Sequence, residues 1–514
     1  MKLKAKLLDI QAGGKRIAIL DDETASMVGV HSSDRVKMTY KKESLIAIVN
    51  IAQIFPANRV GIYREISTEL AIEDEETLEV EPAPRPESID YVQAKIHGER
   101  LRENQVKMIV RDVVERHFSD IELASFVTSL YIHGLSMHEI EALSKAMVET
   151  GSTLSFNRTP ILDKHSIGGV PGDKTTILVV PIIAAAGFYI PKTSSRAVTS
   201  PAGTADVVES LCPVDLTAEE IKEVVKTTNG CMAWGGALDL APADDLFIQV
   251  EYPLAIDPLL LPSIMSKKKA VGATNLVVDI PTGRGAKVKT IGQAHMLAYD
   301  FVDLGQRLGI DVQCAITFGE QPVGCAVGPA LEAREALSTL MGRGPADLLE
   351  KAVNIAGLLL EMTHIEQGKE KAESLLRSGE AEKKLRDIIE AQGGDPNVKP
   401  EDIKVGDNNA QITAASSGRV LWINSKHIAE VAKEAGAPRD QGAGLVLKAK
   451  LGEQVRKGES LLHIYAERNT KLETAIEMAE KLQPVGLSKK PEERMLMGRV
   501  PAPRIHKKTF VLER

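Results

Sequence analysis

Lys164-His-Ser-Ile-Gly-Gly-Val-Pro-Gly-Asp-Lys-Thr-Thr176 sets cations, hydroxyls and three glycines directly ahead of an apolar run, residues 177–183. Glycine lets backbone N–H groups approach an oxyanion with no side chain between. If Asp173 begins a helix, the unpaired N–H groups of its first turn add to an anion site. Periodicity leaves both a helix and a buried strand open for 177–183. A purely structural glycine turn is the simpler alternative. Downstream, strand-like runs at 273–280 and 311–317 alternate with helical ones, and Leu297, Phe301, Leu304 and Leu308 share one helical face before Gly309. That alternation predicts an α/β sheet over about 161–328.

A second stretch follows closely: Lys192-Thr-Ser-Ser-Arg-Ala-Val-Thr-Ser-Pro-Ala-Gly-Thr-Ala-Asp206. It would make a poor core, but its hydroxyls and guanidinium suit phosphate and sugar oxygens. Two such stretches so close together point to one shared site.

Upstream, residues 88–151 read as helices. Ser119 with Glu122 and Ser136 with Glu139 form capping boxes, and Gly134 and Gly151 are expected as left-handed caps. Residues 1–80 carry short Val- and Ile-rich runs and read as a small β domain. Pro82, Pro84 and Pro86 stiffen the chain into a boundary there. Residues 345–392 are charged and helical, with Pro345 expected at a first helical position. From about 411 the β signals return, and Gly452-Glu-Gln-Val-Arg-Lys-Gly-Glu459 resembles a hairpin of biotinyl or lipoyl carrier domains. Neither Lys448 nor Lys450 sits in the tight turn a carrier needs, so a structural module is expected.

Composition removes several classes of function. The net charge is −8, and the only dense basic run is Lys267, Lys268 and Lys269, too short for a nucleic-acid groove. Charges interrupt the first twenty residues, and no apolar stretch approaches a bilayer span. The four cysteines are scattered without CxxC pairing, so neither zinc nor disulfides are expected. The expectation is a cytoplasmic protein binding small anions, without nucleic-acid or membrane partners.

The residues 194–209 resemble the signature of the thymidine and pyrimidine nucleoside phosphorylases. Lys164 to Gly169 resembles their phosphate loop, and Ser263-Ile-Met-Ser-Lys-Lys268 their base-pocket helix. Four departures stand out. No arginine lies near Val250, where those enzymes read the pyrimidine, and Lys287 ends Gly283-Arg-Gly-Ala-Lys where they carry an aromatic. Pro171 is an extra residue in the loop, and Pro201 replaces a small one. Together with the leading β domain, these departures resemble the archaeal AMP phosphorylases. The segment 257–263 is two residues shorter than in relatives.

The resemblance implies a multi-domain α/β chain. A β-rich domain spans 1–84 and a helical domain 88–155 with 240–272. A central α/β domain covers 156–239 with 273–405, and an α+β module 406–514. It implies phosphorolysis of AMP, with CMP and UMP also accepted, giving free base and ribose 1,5-bisphosphate. No cofactor is implied, inorganic phosphate being a co-substrate, and a homodimer or larger homo-oligomer is expected. Lys164, Ser166, Thr176, Ser194 and Thr204, with the Gly168 N–H, would hold the attacking phosphate. Ser195, Arg196, Ala197, Val198 and Thr199 would line the substrate. Ser263 and Lys267 would face the base, and Lys287 with Arg196 the 5′-phosphate. Asp257 is the expected proton donor, made more acid-like by Ile256, Leu259 and Leu260; a helix N-cap ahead of Pro258 is its plainer reading. His165 is the rival acid. A pyrimidine nucleoside phosphorylase and a non-catalytic AMP-binding regulator are the competing functions.

Overall fold

A computed structural model of the chain describes residues 1–197 and 200–488. The first six strands close into a barrel, ordered Lys2–Leu7, Arg59–Ile62, Ile17–Leu20, Glu43–Ile51, Arg35–Tyr40 and Thr77–Pro82. Alternation drives closure: Leu3 and Ala5, Val36 and Met38, and Leu45, Ala47 and Val49 all point inward at period two. The last strand runs to Pro82, and the next helix, Ser88–Ile96, begins two residues beyond Pro86. Arg35 then ties the barrel to the helices by donating to the His117 carbonyl at 2.9 Å.

The helices Glu103–Val114, Asp120–His133 and Met137–Glu149 follow, and the last two start at the expected capping boxes. The glycine expectations need correction. Gly134 has φ +68° but ψ 179°, outside the left-handed helical region. The helix before Gly151 is capped by Thr150 instead. Gly151 is needed for space, since a Cβ there would lie 2.3 Å from the Leu240 carbonyl oxygen. Two later helices, Pro242–Leu254 and Leu260–Ala270, return to this bundle. Phe247 packs on Phe126 with ring centroids 6.0 Å apart, and Leu246 and Leu259 join the core of Val106, Ile109 and Leu143.

The central domain is a parallel arrangement. Asp311–Phe318, Asn275–Thr282 and Leu162–Ser166 form one sheet in that order. Ile190–Ser194 pairs with Gly230–Trp234 and joins the first sheet through the Ile161–Tyr189 bridge. All five strands run the same way, so their carboxyl ends share one edge, where ligands gather in open α/β sheets. The residues 177–183 fall in a helix, Thr175–Ala185, buried on all sides and containing Pro181. Full burial erases the amphipathic period, so the sequence could not distinguish helix from strand here. Pro345 caps the helix Ala346–Glu361 rather than opening it, a one-residue correction.

In the tail, Asn408–Thr413, Ser460–Ala466 and Gly444–Leu447 form a sheet whose edge strand, Ala326–Val327, comes from the central domain. The part of the expected module beyond 488 lies outside the described residues. Lys450 donates to the carbonyls of Pro322 and Gly324 at 2.7 and 2.5 Å and pairs with Asp347 at 2.9 Å. That lysine fastens the tail to the central domain and is not presented for modification.

Candidate active site

The loop after Leu162–Ser166 is the first wall of the site. Lys164 is fully buried, and its Nζ donates to the Thr176 Oγ1 at 3.3 Å, joining strand end to helix start. Gly168 and Gly169 have φ of +78° and +89°, a conformation that favours glycine. Ser166 Oγ accepts the Gly168 N–H at 3.4 Å. The condition that Asp173 begins a helix is not met: the helix is Thr175–Ala185, with Lys174 as its N-cap residue. The Asp173 carboxylate instead accepts from the Thr175 N–H at 3.3 Å and pairs with Lys351 at 3.1 Å. Beneath the loop, buried Asp163 pairs with Lys268 at 2.7 Å and Lys192 at 3.5 Å. Lys164, Lys192 and Lys268 thus gather by the loop within an acidic chain, a setting that suits an incoming anion.

The same lysines correct the second acid candidate. Burial, and then Lys268, Lys192, Lys164 and Lys267, hold the His165 imidazole well below its usual range. It is neutral near pH 7 and carries no proton to spare for a departing base.

The second wall follows Ile190–Ser194. Asp206 gathers it by accepting the N–H groups of Ala197 and Gly203 at 2.7 and 2.8 Å. Gly203 has no room for a Cβ, which would lie 2.5 Å from the Ala197 nitrogen. Thr204 opens the helix Thr204–Glu209, Ser194 Oγ lies 3.4 Å from the Ala233 carbonyl, and Ser195 is exposed. Val198 and Thr199 lie outside the described residues. Arg196 departs from its expected role. Its guanidinium makes a two-pronged pair with Glu209 at 2.5 and 2.7 Å, reaches Asp206 and Asp215, and lies 4.9 Å above the Trp234 ring. Three carboxylates occupy the donors expected to hold a 5′-phosphate.

The third wall joins two domains. Gly169 packs so closely on Lys287 that a Cβ would come within 2.6 Å of the Lys287 backbone nitrogen. Lys287 Nζ then donates to Asp257 Oδ2 at 2.9 Å. This contact links the glycine loop, the loop after Asn275–Thr282 and the turn between the two late helices. Asp257 differs from expectation in its surroundings. Its side chain is 44% exposed beside a lysine, while Leu259 turns into the helical core. Nor does it cap a helix, because Leu260–Ala270 has Leu259 at its N-cap and no side-chain cap.

Ser263 and Lys267 meet at a residue the sequence reading passed over. Asp244 is fully buried; its Oδ2 accepts from Ser263 Oγ at 2.9 Å and from Lys267, and its Oδ1 has no partner among the described residues. An acidic residue in a helix's first turn usually complements the dipole, which hid this one. Glu251 was missed as well. Burial, then the nearby Asp257 carboxylate, push its carboxyl up to about 7.

Family models match most of the chain beyond the barrel. The helical bundle domain of a glycosyl transferase family matches residues 89–151, that family's a/b domain matches 158–382, and the pyrimidine nucleoside phosphorylase C-terminal domain matches 420–485. The AMP phosphorylase of Thermococcus kodakarensis is 50% identical over 491 residues, 94% of this chain and 97% of that protein. The AMP phosphorylase of Thermofilum pendens is 47% identical over 500 residues, 97% of this chain and 98% of that one. These alignments span the N-terminal barrel too. Anthranilate phosphoribosyltransferase from Thermus thermophilus superposes with a TM-score of 0.50 at 22% identity, covering 59% of this chain and 99% of that chain, and so shares the fold.

Proposed function

The chain belongs to the AMP phosphorylase family, and on that premise we propose that it cleaves AMP with inorganic phosphate into adenine and ribose 1,5-bisphosphate. The observation that carries this reading is the seating of Lys287 on Gly169, which sets a second cation beside the Lys164 loop. One phosphate attacks and the other is the substrate's ester. In the proposed step an orthophosphate oxygen, held by Lys164, Ser166, Thr176, Ser194 and Thr204, forms the bond to C1′. The C1′–N bond breaks, its electron pair leaves with the base, and Asp257, protonated from solvent once Lys287 has turned to the 5′-phosphate, passes that proton to the base. Holding the attacker in line contributes about 7–11 kcal/mol, and a proton donor in reach about 10²–10⁴-fold. Lys287 takes the 5′-phosphate by exchanging Asp257 for it, which frees the carboxyl for the base. Ser263 and Lys267, oriented by Asp244, face the base. Inorganic phosphate is the only co-substrate and no cofactor is needed; CMP and UMP fit the same scheme.

We place the enzyme in the cytoplasm, as a homodimer or larger assembly. Exposed Ile121, Tyr131 and Ile132 on the helix Asp120–His133 support assembly through the helical domain. Among the described residues, no helix is long and apolar enough to cross a membrane. The test is phosphate-dependent release of ribose 1,5-bisphosphate from AMP, CMP and UMP, with uridine and thymidine as nucleoside controls. Faster cleavage of the nucleosides than of AMP would reassign the enzyme to nucleosides. Tight AMP binding without cleavage would make it a regulator.

A further inference from the structure

Glu251 lies in the last turn of Pro242–Leu254 and is only 7% exposed. Its Oε1 accepts the Leu259 N–H at 3.2 Å, reaching across the turn that holds Asp257. The helix ends at Ala255 with φ +53°, where the chain reverses, and the bond to Leu259 ties the far side of the reversal back. Glu251 therefore clamps the segment that presents Asp257 to Lys287. Four charged groups act on it: Asp257 from the turn, Asp244 from the start of its own helix, Lys287 from the loop after Asn275–Thr282, and Lys267 from Leu260–Ala270.

We infer that Glu251 is a positioning residue for the proposed cleavage: as a neutral acid it fixes the Asp257 turn and leaves Lys287 to the substrate's 5′-phosphate, and as a carboxylate it opposes that phosphate. The inference rests on the reading of AMP as substrate. Its carboxyl, pushed up to about 7 by burial and Asp257, changes charge in the range where such an enzyme works. A negative charge gained within electrostatic reach of Lys287 repels a phosphate dianion held there. At the effective dielectric of a partly buried site, one such charge alters affinity by about five- to thirtyfold.

Glu251→Gln separates the two roles, because its amide oxygen still accepts the Leu259 N–H but cannot ionise. Ribose 5-phosphate binding by calorimetry and AMP phosphorolysis are measured for both proteins from about pH 6 to 8.5. The ligand's own titration cancels in the ratio of the two proteins. The dissociation constant and KM of the wild type should rise about five- to thirtyfold relative to Glu251→Gln as pH passes through about 7, with kcat similar in both. A flat ratio in an active wild type would overturn the role of Glu251 and leave the substrate reading intact. No AMP cleavage by the wild type at any pH would sink the substrate reading itself. Glu251→Leu removes the acceptor and should lower kcat where Glu251→Gln does not. Equal kcat losses in the two variants would overturn the clamp.

Discussion

Replacing Lys287 with Ala tests the second cation directly. In the free enzyme its ammonium is paired with Asp257, and both side chains are about half exposed, 48% and 44%. An exposed pair of this kind contributes only about 0.2–1 kcal/mol. A hydrogen bond to a charged phosphate contributes about 1.5–3 kcal/mol. Exchanging the first for the second leaves a net gain of about 0.5–2.8 kcal/mol for the bound nucleotide, or about 2- to 100-fold in kcat/KM. Adenosine has no 5′-phosphate and should lose almost nothing. The assay is initial-rate phosphorolysis of AMP and adenosine at saturating phosphate, wild type against variant. If both substrates lose equally, Lys287 does not contact the ester and the two-anion argument falls. The small ion-pair term also predicts that the variant's melting temperature barely changes.

Asp257→Asn should lower kcat for AMP by about 10²–10⁴-fold while sparing AMP binding measured by calorimetry; unchanged turnover would remove Asp257 from the chemistry. Gly169→Ala forces a side chain into φ +89° and against the Lys287 backbone. The strain of about 1–3 kcal/mol should lower the melting temperature by several degrees and raise KM for AMP. A variant with wild-type stability and KM would show that the loop is not pressed on Lys287.

Local chemistry was the most legible part of the sequence. The capping boxes at Ser119 and Ser136 form within four residues, and their partners are visible in one reading frame. The Val- and Ile-rich runs of the first 80 residues indicated β structure, but closure of the barrel depends on the parallel pairing of Lys2–Leu7 with Arg59–Ile62, which no local pattern reveals. What stayed hidden is what distance in the chain conceals. Asp163 meets Lys268 across 105 positions, and Ser263 and Lys267 meet Asp244 only when two helices fold side by side. Arg196 shows a different failure. Composition suggested a free guanidinium, while the helix Thr204–Glu209 brings Asp206 and Glu209 round to neutralise it. His165 was judged by its usual acidity, which burial and then four surrounding lysines have lowered.

The segment 322–327 is gripped from both sides. Lys174, next to the glycine loop, donates to the carbonyls of Val323 and Ala326, while Lys450 of the tail takes those of Pro322 and Gly324. Ala326 and Val327 meanwhile serve as an edge strand for the tail's sheet. The C-terminal module thus acts as an anchor whose cable runs to the seat of the nucleophile. An enzyme trimmed at residue 405 would free that cable and slacken its hold on the attacking phosphate, although no residue of the tail need ever touch it.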